Sequence, residues 1–482
     1  MSQETIQHTP AQRRWILMSM TAVLSMVMMN ETTVAVALPS IARDLDMSVH
    51  RSSAVISVYI LSFASFVAFG GRLGDLFGRR NFLIVGILVF FLAALVCGLA
   101  SSREVLLAAR LVQGIGAALM VPASAAIVVG TFSLEERGRV MAIYAGFAQV
   151  FLSFGPVIGG FLTENFGWGS IFFMNLPIVI GCFVAMLLGR VPNRSTPDGH
   201  LDLAGACLLP PSLFFFVLAI QEGSSWGWSS MRVWMSLAGG VALFLIFYGL
   251  ERGRRQPLID FVLLRIRAFR VDAVILFCVQ FSIAAMAVYG VLYVQRVLGF
   301  SPLESGAAQL AMAIPLLLVT QWAGRIFDRM GARQLVLAGM GLATTGCFVV
   351  AAVITLKSFP AYACGLAFIG AGFGMTLTPV NTDALSRVPA SFRGQASGIL
   401  QTMRQAGGAL GIAAMTATVA LFVSITPGVS GHPEMQTHAF RWAFGLAGLI
   451  NLLGFSAAFF LPSGRQTVEP ADLEAAMQSP GL

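Results

Sequence analysis

The sequence is poor in charge. Of 482 residues, 11% are Asp, Glu, Lys or Arg, where a soluble chain of ordinary composition carries about 25%. Lysine is almost missing: Lys357 stands alone, and arginine supplies nearly all the basic side chains behind the formal net charge of +8. These arginines are spread over many short loops and form no continuous stripe, which argues against a nucleic-acid partner. The six cysteines (Cys97, Cys182, Cys207, Cys278, Cys347 and Cys364) lie inside apolar runs and make no C-x-x-C pair. They read as packing residues, with neither disulfides nor metal ligation expected. The five histidines show no metal-ligand spacing. There is no phosphate-binding P-loop and no Ser/His/Asp set, so ATP-driven transport and enzymatic catalysis are not expected. No cofactor, metal or obligate protein partner is expected either.

What the chain has in excess is apolar length. It is 57% hydrophobic with a mean hydropathy of +0.81. The apolar residues fall in runs of about 18–25, the length that crosses about 30 Å of hydrocarbon as helix. Fourteen candidate helices fall near 15–40, 53–73, 81–100, 104–130, 138–162, 170–189, 203–221, 231–250, 271–294, 305–326, 333–355, 360–380, 394–423 and 439–461. The expected fold is an all-α polytopic membrane protein. Arg13 and Arg14 before the first run resemble a signal peptide, but that run is long and carries Glu31, so it reads as an uncleaved helix.

An even helix count puts both termini on one side. With that side cytoplasmic, roughly 21 Lys and Arg fall in or beside cytoplasmic segments and roughly 7 outside, the imbalance the positive-inside rule requires. The densest group is Arg252, Arg254, Arg255, Arg265, Arg267 and Arg270. Topology setting is its expected role, with contact to anionic lipid headgroups as a second. The scarcity of lysine suggests a high-GC bacterium, and hence its cytoplasmic membrane.

The chain repeats itself. Gly71-Arg72-Leu73-Gly74-Asp75-Leu76-Phe77-Gly78-Arg79-Arg80 returns as Gly324-Arg325-Ile326-Phe327-Asp328-Arg329-Met330-Gly331-Ala332-Arg333, both reading G-R-x-x-D-x-x-G-x-R. Arg137-Gly138, Gln149 and Gly155 find echoes in Arg393-Gly394, Gln405 and Gly411. The period matches helices 1–6 with 9–14 and leaves 7 and 8 without counterparts. The expected division is 1–190 and 265–462 as two six-helix bundles, 191–264 as two inserted helices and linker, and 463–482 as a polar cytoplasmic tail. Duplicated helical halves point to a secondary transporter with its substrate between them.

Several stretches sharpen this. Leu106-x-x-x-Arg110-x-x-Gln113-Gly114-Ile115-Gly116-Ala117-Ala118 places an arginine inside the fourth run. It must be paired, hydrated or snorkelling to the interface. Gly155-Pro156-Val157-Ile158-Gly159-Gly160 combines a proline that bends the fifth helix with glycines that admit a close neighbour. Met29-Asn30-Glu31-Thr32-Thr33 puts a carboxyl group midway along the first helix. Two roles are open to Glu31: a group that takes up and releases a proton, or a structural hydrogen-bonding partner to a neighbouring helix. Gln113, Gln149, Gln280, Gln321, Asn381, Gln401 and Arg404 also lie at membrane depth. With Asn30, Gln113, Gln149, Gln280, Asn381, Gln401 and Arg404 are the candidate cavity residues; each serves equally well to join helices by hydrogen bonds.

Together these stretches resemble the major facilitator superfamily, in its fourteen-helix drug:proton antiporter branch, over about residues 14–462. The Gly71 stretch resembles the loop motif between helices 2 and 3. The resemblance implies a gating role for Gly71, Asp75, Gly78, Arg79 and Arg80, with Asp328 and Arg333 in the second copy. The helix 4 stretch resembles the exporters' L-x-x-x-R-x-x-Q-G-x-G-A-A. Gly155, Pro156, Gly159 and Gly160 resemble the antiporter motif, which goes with export, although Phe151 stands where a glycine is expected. Phe172-Phe173-Met174-Asn175-Leu176-Pro177 resembles the F-F-x-N-x-P opening of helix 6, where Asn175 marks a structural break. The helix 1 motif L-D-x-T-x-x-N-V-A-L-P departs in two places: Asn30 stands at the aspartate and Ala35 at the asparagine. Glu31 follows one residue on, about 100° around the helix. The resemblance implies a proton-coupled exporter of amphipathic drug-like compounds, with Glu31 and Arg110 as the coupling pair. The alternatives are a dedicated exporter of one endogenous metabolite and a proton-coupled importer.

Overall fold

Thr9 fixes where the first helix starts. Its hydroxyl accepts from the Gln12 N–H, the Gln12 side chain accepts from the Thr9 N–H, and Pro10 occupies the first turn, where no N–H is needed. The computed structural model describes residues 9–47, 52–193, 203–252, 261–388, 393–425 and 433–462, and every element among them is helical. The expected tail 463–482 and Arg254 and Arg255 lie outside the described residues, as do the side chains of Asp75, Arg137, Arg252, Asp328 and Arg393.

Each of the fourteen expected segments is helical, and most run longer than their apolar cores. They are α1 Pro10–Asp44, α2 Ala54–Phe77, α3 Arg79–Gly98, α4 Arg103–Thr131, α5 Leu134–Phe166 and α6 Ser170–Gly189. Then come α7 Leu203–Trp226, α8 Met231–Arg252, α9 Arg267–Arg296 and α10 Pro302–Phe327. The last four are α11 Met330–Leu356, α12 Phe359–Ser386, α13 Arg393–Ile425 and α14 Pro433–Ala458. Among the described residues twelve helices are long and apolar enough to cross a membrane. The other two, α2 and α7, are 24 residues each, with shorter described apolar stretches at 54–67 and 207–220.

Polar caps make the extensions. Ser102 accepts from the Val105 N–H to open α4, and Ser301 with Glu304 forms a capping box ahead of Pro302 to open α10. Asn175 sits at the expected break in α6, where its side-chain amide donates to the Phe172 carbonyl at 2.9 Å. Within α9 the turn Met286–Gly290 widens to a π-helix.

Successive helices alternate direction. The loops at Gly78 and Gly331 therefore mark one end of the bundle, the motif end; the turns near Asp44, Phe166 and Gly299 mark the far end. The packing repeats as the sequence does. α1 lies on α5 and α6, and α9 lies on α13 and α14. Gly155 presses against Thr32 of α1, and its echo Gly411 presses against the Phe281 carbonyl of α9; a methyl group at either would overlap these atoms. The pair without echo sits to one side. α7 packs on α2 and α13, and α8 packs on α7.

At the motif end the Arg13 side chain pairs with Glu136 and lies 4.7 Å over the Phe132 ring, tying α1 to the start of α5. The Arg13 guanidinium, with help from Ser133, holds the Glu136 carboxyl below the usual carboxylate range.

The two motif glycines share a backbone and differ in surroundings. Gly78 has φ 103° and Gly331 has φ 75°, both on the side that disfavours a Cβ. A Cβ on Gly78 would also collide with the Asn193 side chain, whereas one on Gly331 would meet open space. Gly331→Ala should therefore cost only the backbone term, about 1 kcal/mol. Gly78→Ala should cost clearly more. Thermal unfolding of the two variants in detergent checks this; equal losses would mean that the Asn193 contact contributes nothing.

Candidate functional site

Arg110 is fully buried two turns into α4. Its Nε donates to the Val55 carbonyl of α2 at 2.9 Å, and its Nη1 donates to Asn30 Oδ1 of α1 at 2.6 Å and to Gln113 Oε1 at 2.7 Å. The guanidinium lies 4.2 Å over the Tyr59 ring and 5.8 Å from that of Phe172. Burial rules out snorkelling. All three acceptors are amide oxygens, so the positive charge is solvated by protein dipoles and aromatic faces without a carboxylate in contact.

Glu31 follows Asn30 and faces elsewhere. It is buried, and its Oε1 accepts a hydrogen bond from Gln405 Nε2 of α13 at 3.2 Å. Arg404 of α13 and Arg110 both act on it electrostatically. The Arg404 Nε is itself buried and has no hydrogen-bond partner among the described residues. The one-residue shift noticed in the sequence thus has a geometric consequence. Asn30 occupies the direction that meets Arg110, and the carboxyl group is turned toward the second half of the chain.

Further contacts join the halves between this depth and the far end. Ser53 Oγ lies 2.9 Å from Thr416 Oγ1, which also accepts from the Tyr289 hydroxyl at 2.7 Å. Gln295 Nε2 donates to the Val36 carbonyl at 3.0 Å, and the Leu303 N–H donates to Glu164 Oε2 at 3.0 Å. The Gly155–Gly160 stretch lies at this junction. Gly155 and Gly159 admit Thr32 and Thr33 of α1, Gly160 admits the Pro302 carbonyl of α10, and the Pro156 carbonyl sits against Gly306. Thr32 Oγ1 adds a bond to the Leu152 carbonyl at 3.0 Å. α5 runs as one helix through Pro156.

The remaining candidates scatter. Asn30 and Gln113 are enclosed with Arg110, so they serve that charge in this conformation and line no open space. Gln280 is buried beside Gly408. Asn381 is half-buried and donates to the Leu377 carbonyl of its own helix at 2.8 Å. Gln149, Gln401 and Arg404 are half-buried. In the loop motif, Arg79 Nη1 donates to the Ala126 carbonyl at 3.3 Å, Arg80 is half-buried, Gly71 packs on Pro122, and Arg333 is engaged. Sequence reasoning found Gln405 only as an echo of Gln149; its place in the repeat, on the helix equivalent to α5, was the available signal. It missed the buried Asp272, Asp383 and Arg387, whose positions at the ends of apolar runs read as loop charges.

Residues 20–412 match the model of the Major Facilitator Superfamily. The chain belongs to this superfamily. It is 31% identical over 411 residues to the multidrug resistance protein Stp of Mycobacterium tuberculosis, covering 84% of this chain and 75% of that one. It is 32% identical over 428 residues to the cephamycin export protein CmcT of Amycolatopsis lactamdurans, covering 86% and 85%. Among solved structures the POT family transporter PepTSo superposes with a TM-score of 0.66 at 13% identity, over 95% of this chain and all of that one, a likeness of fold alone. This superfamily member is an integral membrane transporter of small molecules, grouped with antibiotic-resistance exporters.

Arg110→Lys should damage this transporter even though the charge is kept. A lysine ammonium cannot bond Val55, Asn30 and Gln113 in one plane while stacking on Tyr59. Leaving buried acceptors unmet should cost on the order of 2–3 kcal/mol, read as a lower melting temperature in detergent. An unchanged melting temperature would mean that the bonds contribute little.

Proposed function

We propose that the protein is a proton-driven exporter of amphipathic, drug-like compounds working by alternating access, with fourteen spans. Residues 1–190 and 265–462 form the moving halves, and 191–264 supplies two accessory helices. The motif end and both termini face the cytoplasm of a bacterial cell, by the charge imbalance, and the far end faces outside. The observation that carries the reading is the carboxyl group of Glu31, held by Gln405 across the boundary between the halves. The names of Stp and CmcT support export and drug-like or antibiotic cargo.

The bond suggests how proton and substrate exclude one another. Charged Glu31 attracts Arg404 and accepts from Gln405, which holds the halves in the present, outwardly closed arrangement. A proton on Glu31 cancels that attraction. A substrate that competes for Gln405 or Arg404 displaces it. The carrier then switches when loaded with either and stays put when loaded with neither, as antiport requires. The inward-directed membrane potential adds about 2.3 kcal/mol per charge per 100 mV. Asp75 and Asp328, with Arg79, Arg80 and Arg333, gate the cytoplasmic end in this scheme, and Gly155, Pro156, Gly159 and Gly160 form the outer seal.

Glu31→Gln keeps the hydrogen bond and removes the charge. In reconstituted vesicles it should lose uphill, pH-gradient-driven transport while retaining substrate-for-substrate exchange. Wild-type uphill transport by this variant would refute the role of Glu31. The orientation has its own check. With the native cysteines replaced, an impermeant thiol reagent added to intact cells should label Ser229→Cys and spare Arg79→Cys. The reverse pattern would invert the topology.

A further inference from the structure

A second carboxyl group is buried far from Glu31. Asp272 lies in the second turn of α9 at the motif end, fully enclosed, and neither of its oxygens receives a hydrogen bond from any described residue. Facing it from α12 are the Asp383 carboxyl and the Arg387 guanidinium. Those two already form a buried ion pair, Arg387 Nε to Asp383 Oδ2 at 2.6 Å. The pair cancels its own charge, and Asp272 is then one carboxyl group too many. Two carboxylates beside one guanidinium, out of water, leave an uncompensated negative charge with no donor among the described residues to solvate it. A proton on Asp272 removes both difficulties: the seam becomes neutral, and the new O–H can donate to Asp383.

Among the described residues no other charge offers relief. On α9 itself Arg267 and Arg270 are exposed, with Arg267 lying 5.3 Å over the Phe460 ring. Arg265 of the 3₁₀ turn Phe261–Arg265 is exposed, as are His438 and Arg441 of α14. Arg404 of α13 acts on Glu31, and α1 meets the far part of α9.

We infer that Asp272 is a second proton site: it holds a proton while α12 is packed on α9 and releases it when the motif end of α12 shifts and water reaches the seam. This rests on the proton-driven reading given above. It differs in placing a proton within one half of the protein, where it senses a seam between helices and not the contact between halves.

Infrared spectroscopy of the reconstituted protein tests it, with Glu31→Gln as background so that Glu31 contributes no signal. At neutral pH this variant should show the C=O stretch of a protonated carboxyl group. Adding Asp272→Asn should remove the band, and adding Asp272→Glu should move it, which keeps the test open if the asparagine variant fails to fold. Absence of the band from Glu31→Gln protein, or its survival unchanged in the double variants, would overturn the assignment. In vesicles, Asp272→Asn or, failing that, Asp383→Asn should release fewer protons per substrate bound than the wild type. Equal release would reduce Asp272 to a structural acid and also overturn the proposal. Failure of the Glu31 reading would show separately, as unchanged proton release from Glu31→Gln with Asp272 intact.

Discussion

A guanidinium shut away from water must find its acceptors in the protein, and Arg110 finds them on three helices. Val55, Asn30 and Gln113 fix α2, α1 and α4 relative to one another, and Tyr59 closes the remaining face. Burying such a charge is expensive, and removing any one acceptor leaves the cost unmet. This anchoring decides the rotation of α1. With Asn30 committed to Arg110, the next side chain must point about 100° away, and that direction leads to α13 in the other half. The chemistry proposed for Glu31 therefore depends on how its neighbour Asn30 is anchored.

Shape does comparable work at the junction of the halves. α5 has no side chain at Gly160, and α10 has none at Gly306, so the two backbones meet there, while Gly155 and Gly159 let α1 lie close to α5 within its own half. Such a surface is weakly directional. It seals when the helices are together and resists little when they part. The directional bonds, Gln405 to Glu31 and Ser53 to Thr416, lie nearer the middle of the molecule. In the proposed mechanism, a seal of small residues and a polar tie that charge can loosen together make up the two-state element.

Much of this was legible in the residues. The apolar runs marked the helical segments, because composition decides them, and the repeated G-R-x-x-D-x-x-G-x-R suggested the two halves proposed here. Helix ends were legible less well: Thr9, Ser102 and Ser301 extend helices beyond their apolar cores, and a cap is seen only when its partner is known. Arg110 stood out because a charge inside an apolar run must be satisfied somehow. Which groups satisfy it was not legible, since Asn30 and Val55 lie far from it in sequence. Asp272, Asp383 and Arg387 escaped for another reason. Each stands near the end of a run, where a charge ordinarily meets water, and only the packing of α9 on α12 removes that water.

In the proposed mechanism Glu31 is the tie whose charge sets the arrangement of the halves. The most direct measurement is the distance between spin labels at Asn165→Cys on α5 and Ala307→Cys on α10, two exposed positions at the far end, as pH is lowered without substrate. In the wild-type background the distance distribution should gain a longer component on acidification, as protonated Glu31 lets the far ends part. With Glu31→Gln that acid-dependent lengthening should be gone. A Glu31→Gln protein whose far end still opens with pH as the wild type does would contradict the account.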